Sequence, residues 1–357
     1  MKFPAQSETE GVPMAQPDEI AAMRRALEAA RGACTRPFPN PYVGCVLLGA
    51  DGNELAVGVH SGAGTAHAEV DALNHAGDRA RGATAIVTLE PCNHTGRTGP
   101  CAEALIDAGV VRVVYAQSDP NPDATGGAAT LLAAGIEVEG GVLQTESEAM
   151  NAIWTHSITH GRPFVTWKYA ATIDGRVAAL DGTSQWITGA EARHDVQALR
   201  AEADAIMVGT GTVRADNPRL TLRDEHDAPL PYADQPLRVV VGETQLPNDL
   251  NVWSENAPTL QIRNRSPFDV LQALDGEEIR HVWLEGGPRL AGAFLDAGLV
   301  DRVIGYIAPS VLGAGTTAAE GSAKSLNDLS RFAFTDIRRI GADVRVIAVP
   351  VTLEGRV

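Results

Sequence analysis

The sequence predicts an α/β protein made of two unlike domains. Helix-like and strand-like patterns alternate along nearly the whole chain, which is the pattern of layered α/β architectures. At 357 residues the chain exceeds the usual size of one hydrophobic core. No internal repeat relates its two halves. Residues 1–16, polar and proline-containing, read as a flexible tail without the apolar segment of a signal peptide. Residues 17–146 form the first domain, residues 147–162 a helix-like connector, and residues 163–357 the second domain.

In the first domain Asp18 is placed to cap a helix whose apolar face is Ile20, Met23, Leu27 and Ala30. Val43 to Leu48 and Ala85 to Leu89 are short continuous apolar runs, as buried strands require. His67 to Asn74 keeps helical spacing. Ala102 to Ala108 does too and is stopped by Gly109. A strand over Val110 to Ala116 and a helix–strand pair ending near Ile136 to Val138 complete a sheet with helices on both faces. In the second domain strands are expected at Phe164 to Ala170, Ala205 to Gly209, Leu237 to Val241, Val282 to Glu285, Arg302 to Ala308 and Val344 to Val349. Helices are expected at Ala190 to Ala203, Phe268 to Leu274 and Arg289 to Ala297.

The balance of charge narrows the partners. A net charge of −16 is wrong for a protein that grips long polyanions, although a small phosphorylated ligand needs only two or three placed cations. No apolar run reaches the length of a membrane span. Four cysteines in so long a chain do not make a disulfide framework; a reducing cytoplasm fits, and there cysteines near a histidine read as metal ligands. Cys34 and Cys45 have no partner at ligand spacing and read as core residues.

The chemistry concentrates at His67-Ala68-Glu69, Pro91-Cys92 and Cys101. A lone histidine or buried cysteine is more often packing than ligand. Here one imidazole and two thiols fall at element ends beside a carboxylate. Three protein ligands leave the fourth tetrahedral position of Zn²⁺ to water, as in a catalytic site, and Glu69 is placed to move protons. His-x-Glu with a downstream Pro-Cys is the pattern of zinc deaminases of nucleobases. The polar loop between the cysteines carries His94 and Arg97, and the turns beside the strands carry Asn40, Asp119 and Asn121. All five are candidate contacts to a pyrimidine substrate. As bare sequence, they also make ordinary loops and turns. In the second domain Gly286-Gly287 opens a helix and lets backbone amides approach a phosphate, but no Rossmann fingerprint stands in the first βα turn.

Taken together, these residues resemble one family, the bifunctional riboflavin-biosynthesis deaminase–reductases. The first half carries the resemblance in Asn40-Pro41-x-Val43-Gly44, His67-Ala68-Glu69-Val70, Pro91-Cys92-x-His94-x-Gly96-Arg97-Thr98, Cys101 and Asp119-Pro120-Asn121-Pro122. The second half carries it in Pro163-Phe164-Val165-Thr166-x-Lys168, Trp186-Ile187-Thr188, Gly211-Thr212-Val213-x-Ala215-Asp216-x-Pro218-x-Leu220-Thr221 and Glu285-Gly286-Gly287-Pro288. The eight residues between the cysteines set this family apart from deaminases that use two. Tyr42 and Gly99 replace common prolines, and Gly242-Glu243 replaces the usual Asp-Ser, so no cofactor contact is carried over to that strand end.

The resemblance implies a cytidine-deaminase-like α/β/α sandwich followed by a dihydrofolate-reductase-like α/β domain. It implies Zn²⁺ on His67, Cys92 and Cys101 with Glu69 catalytic, and NADPH in the second domain. By similarity Ser184, Arg200, Leu220, Arg223 and Glu285 hold the reductase substrate, the two arginines as its phosphate clamp. Lys168, Ala170, Trp186, Thr212, Asp216, Gly287, Pro288, Arg289, Leu290, Ala291 and Gly292 line the NADPH site. The expected partners are small phosphorylated pyrimidines, with neither nucleic acid nor membrane. The expected assembly is a cytoplasmic homo-oligomer, a dimer or tetramer.

Overall fold

A computed structural model of the chain describes residues 15–94 and 99–351. The tail expected over residues 1–16 lies outside them except for its last two positions. The chain divides into two compact units between Thr159 and His160.

The first unit runs α1 (Pro17–Ala33), β1 (Gly44–Leu48), β2 (Glu54–Val59), α2 (Ala68–Ala76), β3 (Thr84–Leu89), α3 (Cys101–Asp107), β4 (Arg112–Gln117), α4 (Gly127–Ala133), β5 (Glu137–Gly140), α5 (Gln144–Met150) and α6 (Ala152–His160). Its sheet has the order β2-β1-β3-β4-β5; β1 is antiparallel to both neighbours, and β3, β4 and β5 are parallel. Alternate strand residues explain the two helical layers. Cys45, Leu47, Ala85 and Val87 pack with Ala68, Ala72, Leu105 and Leu131 on one face. Val46, Leu48, Ile86 and Val114 pack with Met23, Ala26 and Leu27 of α1 on the other. A Cβ on Gly58 would lie 2.2 Å from the Ala68 carbonyl oxygen, so only glycine lets the start of α2 rest on β2. That contact fixes the position of His67.

Three local expectations are corrected. The cap of α1 is Gln16, not Asp18, because Pro17 takes the first helical position, where its missing N–H costs nothing. Cys34 is half-buried rather than a core residue. The segment read as a connector folds onto the first unit: Asn151 bonds the backbone N and O of Tyr42, and Ser147 donates to the Thr88 carbonyl.

The second unit runs β6 (Phe164–Thr172), β7 (Arg176–Ala178), α7 (Ala190–Arg200), β8 (Ala205–Gly209), α8 (Thr210–Asp216), β9 (Leu237–Val241), β10 (Thr259–Ile262), α9 (Pro267–Gly276), β11 (His281–Leu284), α10 (Pro288–Asp296), β12 (Arg302–Ala308), β13 (Thr316–Thr317), β14 (Phe332–Ile340) and β15 (Asp343–Pro350). The main sheet has the order β10-β9-β8-β11-β6-β12-β15-β14. It is parallel from β10 to β12 and ends in the antiparallel pair β15 and β14. Val165, Met207, Val239 and Leu284 pack against α9 and α10 on one face. Ile206, Val208, Val240 and Trp283 pack under α7 and α8 on the other. In a parallel sheet of this kind ligands sit beyond the C-terminal strand ends, and Gly209, Val241 and Glu285 mark that edge.

Candidate active sites

In the first unit three elements start or stop at one point. His67 is the N-cap residue of α2, Cys101 opens α3, and Cys92 follows the end of β3. The Nδ1 of His67 lies 3.2 Å from Cys101 Sγ and 3.5 Å from Cys92 Sγ. The three donor atoms all lie within 4.8 Å of one another. Zinc bonds of roughly 2.0–2.3 Å place neighbouring tetrahedral donors about 3.5 Å apart, so this S₂N set fits the ion. The backbone N–H of Cys101 points at Cys92 Sγ at 3.4 Å. Cys92 is drawn down to about 4, first by the Cys101 thiol that donates to it, and further by His67. The same bond pushes Cys101 well above the ordinary thiol range. Glu69, in the first turn of α2, is 3% exposed. Burial, together with the negative charge of Cys92, pushes its carboxyl up to about 7.

Around this cluster stand the expected substrate contacts. The Nδ2 of Asn40 lies 2.8 Å from His60 Nε2, and His60 Nδ1 lies 3.0 Å from the Ala66 carbonyl. A carbonyl only accepts, which assigns the proton to Nδ1; Nε2 then accepts from Asn40, whose Oδ1 faces away as an acceptor. Asp119 is pushed up to about 6 by burial, with Glu90 and Cys92 adding to the rise. Its Oδ1 accepts from the N–H of Asn121 at 2.8 Å. The Nδ1 of His94 is buried with no partner among the described residues. Arg97 lies outside the described residues. Two supports escaped the sequence reading. His60 orients Asn40. Glu90 accepts from the backbone N–H groups of Asp119, Gly126 and Ala128 and so holds the turn carrying Asp119 and Asn121. Nothing in spacing marks either; Glu90 falls between the apolar run ending at Leu89 and Pro91-Cys92.

In the second unit a cavity of about 650 Å³ opens at the C-terminal strand ends. Within it stand Lys168, Ala170, Ser184, Trp186, Arg200, Thr212, Asp216, Leu220, Arg223, Glu285, Gly287 and Pro288 of the expected set. Arg200 forms a two-point ion pair with Glu285, its Nε at 3.0 Å from Oε1 and its Nη2 on Oε2. Trp283 Nε1 donates to the same carboxylate at 2.7 Å. Burial alone would raise Glu285, but Arg200 and Lys168 outweigh it and hold the carboxyl at about 2. Burial lowers Lys168, partly offset by Glu285; its Nζ sits 5.9 Å from the Tyr306 ring centre. Arg223 Nη1 donates to Asp227 at 2.6 Å. Leu220, at φ 51°, is held in the left-handed region that non-glycine residues avoid, as happens at constrained sites.

The NADPH set divides. The backbone N–H of Gly287 donates to Thr212 Oγ1 at 3.0 Å, tying the starts of α8 and α10 together at the cavity. A side chain at Gly287 would meet that hydroxyl at 3.2 Å, so its lack of one keeps the approach to α10 open. The small residues at this start of α10 and the cavity beside them leave room for the cofactor, although the Gly287 N–H is itself committed to Thr212 and Pro288 has none to give. Arg289, Leu290, Ala291 and Gly292 do not line the cavity. Arg289 is exposed near Glu320, Ala291 is core, and Gly292 lets the Glu320 carbonyl pass where a Cβ would lie 1.9 Å from it. Arg193, which the sequence reading missed, stacks on Trp186 with its guanidinium carbon 4.6 Å from the ring centre.

Residues 163–346 match the family model of the RibD C-terminal domain, and residues 17–117 match the cytidine and deoxycytidylate deaminase zinc-binding region. The riboflavin biosynthesis protein RibD of Mycobacterium tuberculosis (strain H37Rv) is 46% identical over 326 residues, covering 90% of this chain and 95% of its own. That of Escherichia coli (strain K12) is 42% identical over 356 residues, covering 90% and 96%. The solved structure of Acinetobacter baumannii RibD superposes with a TM-score of 0.86 at 36% identity, covering 94% of this chain and 99% of that one. A diaminohydroxyphosphoribosylaminopyrimidine deaminase/5-amino-6-(5-phosphoribosylamino)uracil reductase from Thermotoga maritima superposes at 0.83 with 32% identity, covering 94% and 99%.

Proposed function

The chain belongs to the bifunctional riboflavin-biosynthesis deaminase–reductase family, and from that premise we propose which residues perform its two reactions and on what substrates. It is both a hydrolase and an oxidoreductase, with zinc serving the first unit and NADPH the second. The first reaction removes the 2-amino group of 2,5-diamino-6-ribosylamino-4(3H)-pyrimidinone 5′-phosphate. The second reduces the ribosyl group of 5-amino-6-(5-phosphoribosylamino)uracil to ribityl.

His67, Cys92 and Cys101 hold the zinc, which supplies a Lewis acid able to make water nucleophilic near neutral pH. Glu69 takes the proton released by the attacking water and delivers it to the departing amine. Buried in the first turn of α2 beside the ligand set, its carboxyl is placed to accept and to give a proton. Asn40, turned by His60, offers Oδ1 to a ring or amino N–H. Asp119, Asn121, His94 and Arg97 complete the substrate set.

In the second unit NADPH supplies hydride to the ribosyl carbon. Lys168 faces the ribose oxygens and stabilises negative charge there as the ring opens. Glu285, kept ionised by Arg200, accepts from substrate hydroxyl or amino groups. Arg223 takes the phosphate by charge-assisted bonds; Arg200, expected as the second arm of the clamp, is instead committed to Glu285. Ser184 and Leu220 frame the substrate. Ala170, Trp186, Thr212, Asp216, Gly287 and Pro288 form the cofactor wall, and residues 289–292 support it through the α10 helix. A cytoplasmic homo-oligomer, dimer or tetramer, completes the reading. Among the described residues no helix is long and apolar enough to cross a membrane.

The observation that carries this reading is the presence in one chain of a compact S₂N donor set beside a buried glutamate and of a cavity built round an ionised, arginine-paired glutamate. A coupled assay with the phosphorylated diaminopyrimidinone tests it. Ammonia release should require stoichiometric zinc, and NADPH oxidation should follow it; ammonia without NADPH oxidation would leave the second unit a binding module.

A further inference from the structure

The pair Arg223–Asp227 has a geometry that the proposed phosphate clamp does not explain. Both side chains line the cavity, with the carboxylate 2.6 Å from Nη1. The Nε of Arg223 is buried without an acceptor among the described residues, so a ligand oxygen can reach this guanidinium only through its terminal nitrogens. That is the face on which Asp227 sits. Asp227 is 70% exposed against 27% for Arg223, so the carboxylate covers the cation from the solvent side.

The backbone builds this contact. Arg223 bridges Pro229 across a hairpin, and Leu222 and Leu230 are both tied to the Gln235 side chain. At the tip, Asp224 Oδ1 accepts from the N–H groups of His226 and Ala228, and Asp227 N–H donates to the Asp224 carbonyl. Asp227 takes φ 64°, a left-handed conformation that aspartate and asparagine tolerate better than most residues. A tight turn thus returns a carboxylate onto the cation four residues earlier.

We propose that Asp227 is a resident counter-ion that the substrate phosphate must displace from Arg223. The inference rests on the reading of Arg223 as the phosphate cation. A phosphate monoester carries about −1.5 to −2 charges near neutral pH against −1 for the carboxylate, so it wins the exchange, but with reduced affinity. The product carries the same phosphate, and Asp227 returns to Arg223 as the product leaves. The contact therefore sets a weaker substrate affinity and a faster product release than Arg223 alone would give.

The test measures inorganic phosphate binding to the full chain by calorimetry at fixed ionic strength, and reductase KM and kcat for the phosphorylated uracil. Asp227→Asn keeps the left-handed turn and removes the charge; Asp227→Ser serves as a second variant, and the melting temperature of each confirms folding. The expected result is a dissociation constant for phosphate, and a KM, lower by about two- to fivefold, the range for one exposed ion pair, with deeper product inhibition. Unchanged or weaker phosphate binding in both folded variants would overturn the proposal. Arg223→Ala separates the two readings. If it leaves KM unchanged, the clamp itself is wrong; if it raises KM while Asp227→Asn does not lower it, only the counter-ion role fails.

Discussion

In the first unit the reacting side chains come from His67 to Cys101 and touch one another. In the second they are spread from Lys168 to Glu285 and meet as separate ion pairs around an open cavity. His67, Cys92 and Cys101 bring their donor atoms within 4.8 Å of one another with Glu69 buried in the adjoining turn, so each shapes the others' surroundings. The Arg200–Glu285 and Arg223–Asp227 pairs share the cavity but no bonded atom. Groups that act as a unit respond to substitution non-additively, whereas separated pairs respond nearly independently. Single substitutions should therefore abolish the first activity and grade the second.

The largest expected effect is at Glu69. Glu69→Gln should cut ammonia release by about 10²–10⁴-fold, the usual share of a positioned acid–base group, while zinc content persists and NADPH oxidation persists when the phosphorylated uracil is supplied directly. Metal analysis in parallel decides the matter: loss of zinc would mean that Glu69 helps hold the ion, and the division between ligands and proton carrier would fall. Next comes Arg223→Ala, which should raise the reductase KM roughly ten- to 150-fold, as for a charge-assisted hydrogen bond, and leave ammonia release alone. An equal fall in both activities would break the independence of the two sites.

The same contrast explains what could be read from sequence. His67, Glu69, Cys92 and Cys101 were legible because metal ligation demands particular residue types near one another in the chain and at element ends. Lys168, Arg200, Arg223 and Glu285 are ordinary residues on a strand, a helix end and loops scattered along the chain, and only the family resemblance picked them out. His60, Glu90 and Arg193 act through hydrogen bonds or stacking set by tertiary approach, which spacing does not encode, and Asp227 acts through a local turn that no motif marks. The same holds for the fold. Buried central strands such as β1, β3, β8 and β9 were plain as apolar runs. The edge strand β14 was not, since its exposed positions include Thr335, Arg338 and Arg339 and a bulge near Phe334 breaks its alternation. Half-exposed β2 was missed for a similar reason.

The far end of the second sheet offers a different test. His281 is fully buried, with Nδ1 3.0 Å from the Glu202 carbonyl and Nε2 2.9 Å from the Thr166 hydroxyl. Burial, with the Arg302 charge adding, holds it down at about 3. Below its unfolded value near 6.5 the unfolded chain binds a proton that the native unit refuses. Stability is therefore complete above that pH and is lost as pH falls towards 3. Between pH 7 and pH 5 the loss should be on the order of 2 kcal/mol, read as a lower urea midpoint for the second unit. His281→Gln should flatten that dependence. If the wild-type midpoint stays constant over this range, the neutral buried imidazole is wrong. Unlike the pairs at the cavity, this group has no ligand to exchange with, so added phosphate or NADPH should not change the proton count.

The smallest effect concerns the cavity rim. Trp186 is 67% exposed, and the ring is held from one side by Arg193, which also donates to the Thr188 carbonyl at 2.9 Å. An exposed cation–π contact contributes about 0.5–1 kcal/mol, so Arg193→Ala should weaken NADPH binding about two- to fivefold. Calorimetric titration of the variant with NADPH reads this directly, and inorganic phosphate binding at Arg223 should stay at the wild-type value. If phosphate binding weakens as well, the rim and the clamp are coupled, and the second site is a single unit like the first. If only NADPH binding changes, the cavity is an assembly of independent contacts. Its affinity for cofactor and substrate can then be adjusted one side chain at a time, which the interlocked cluster of the first unit does not permit.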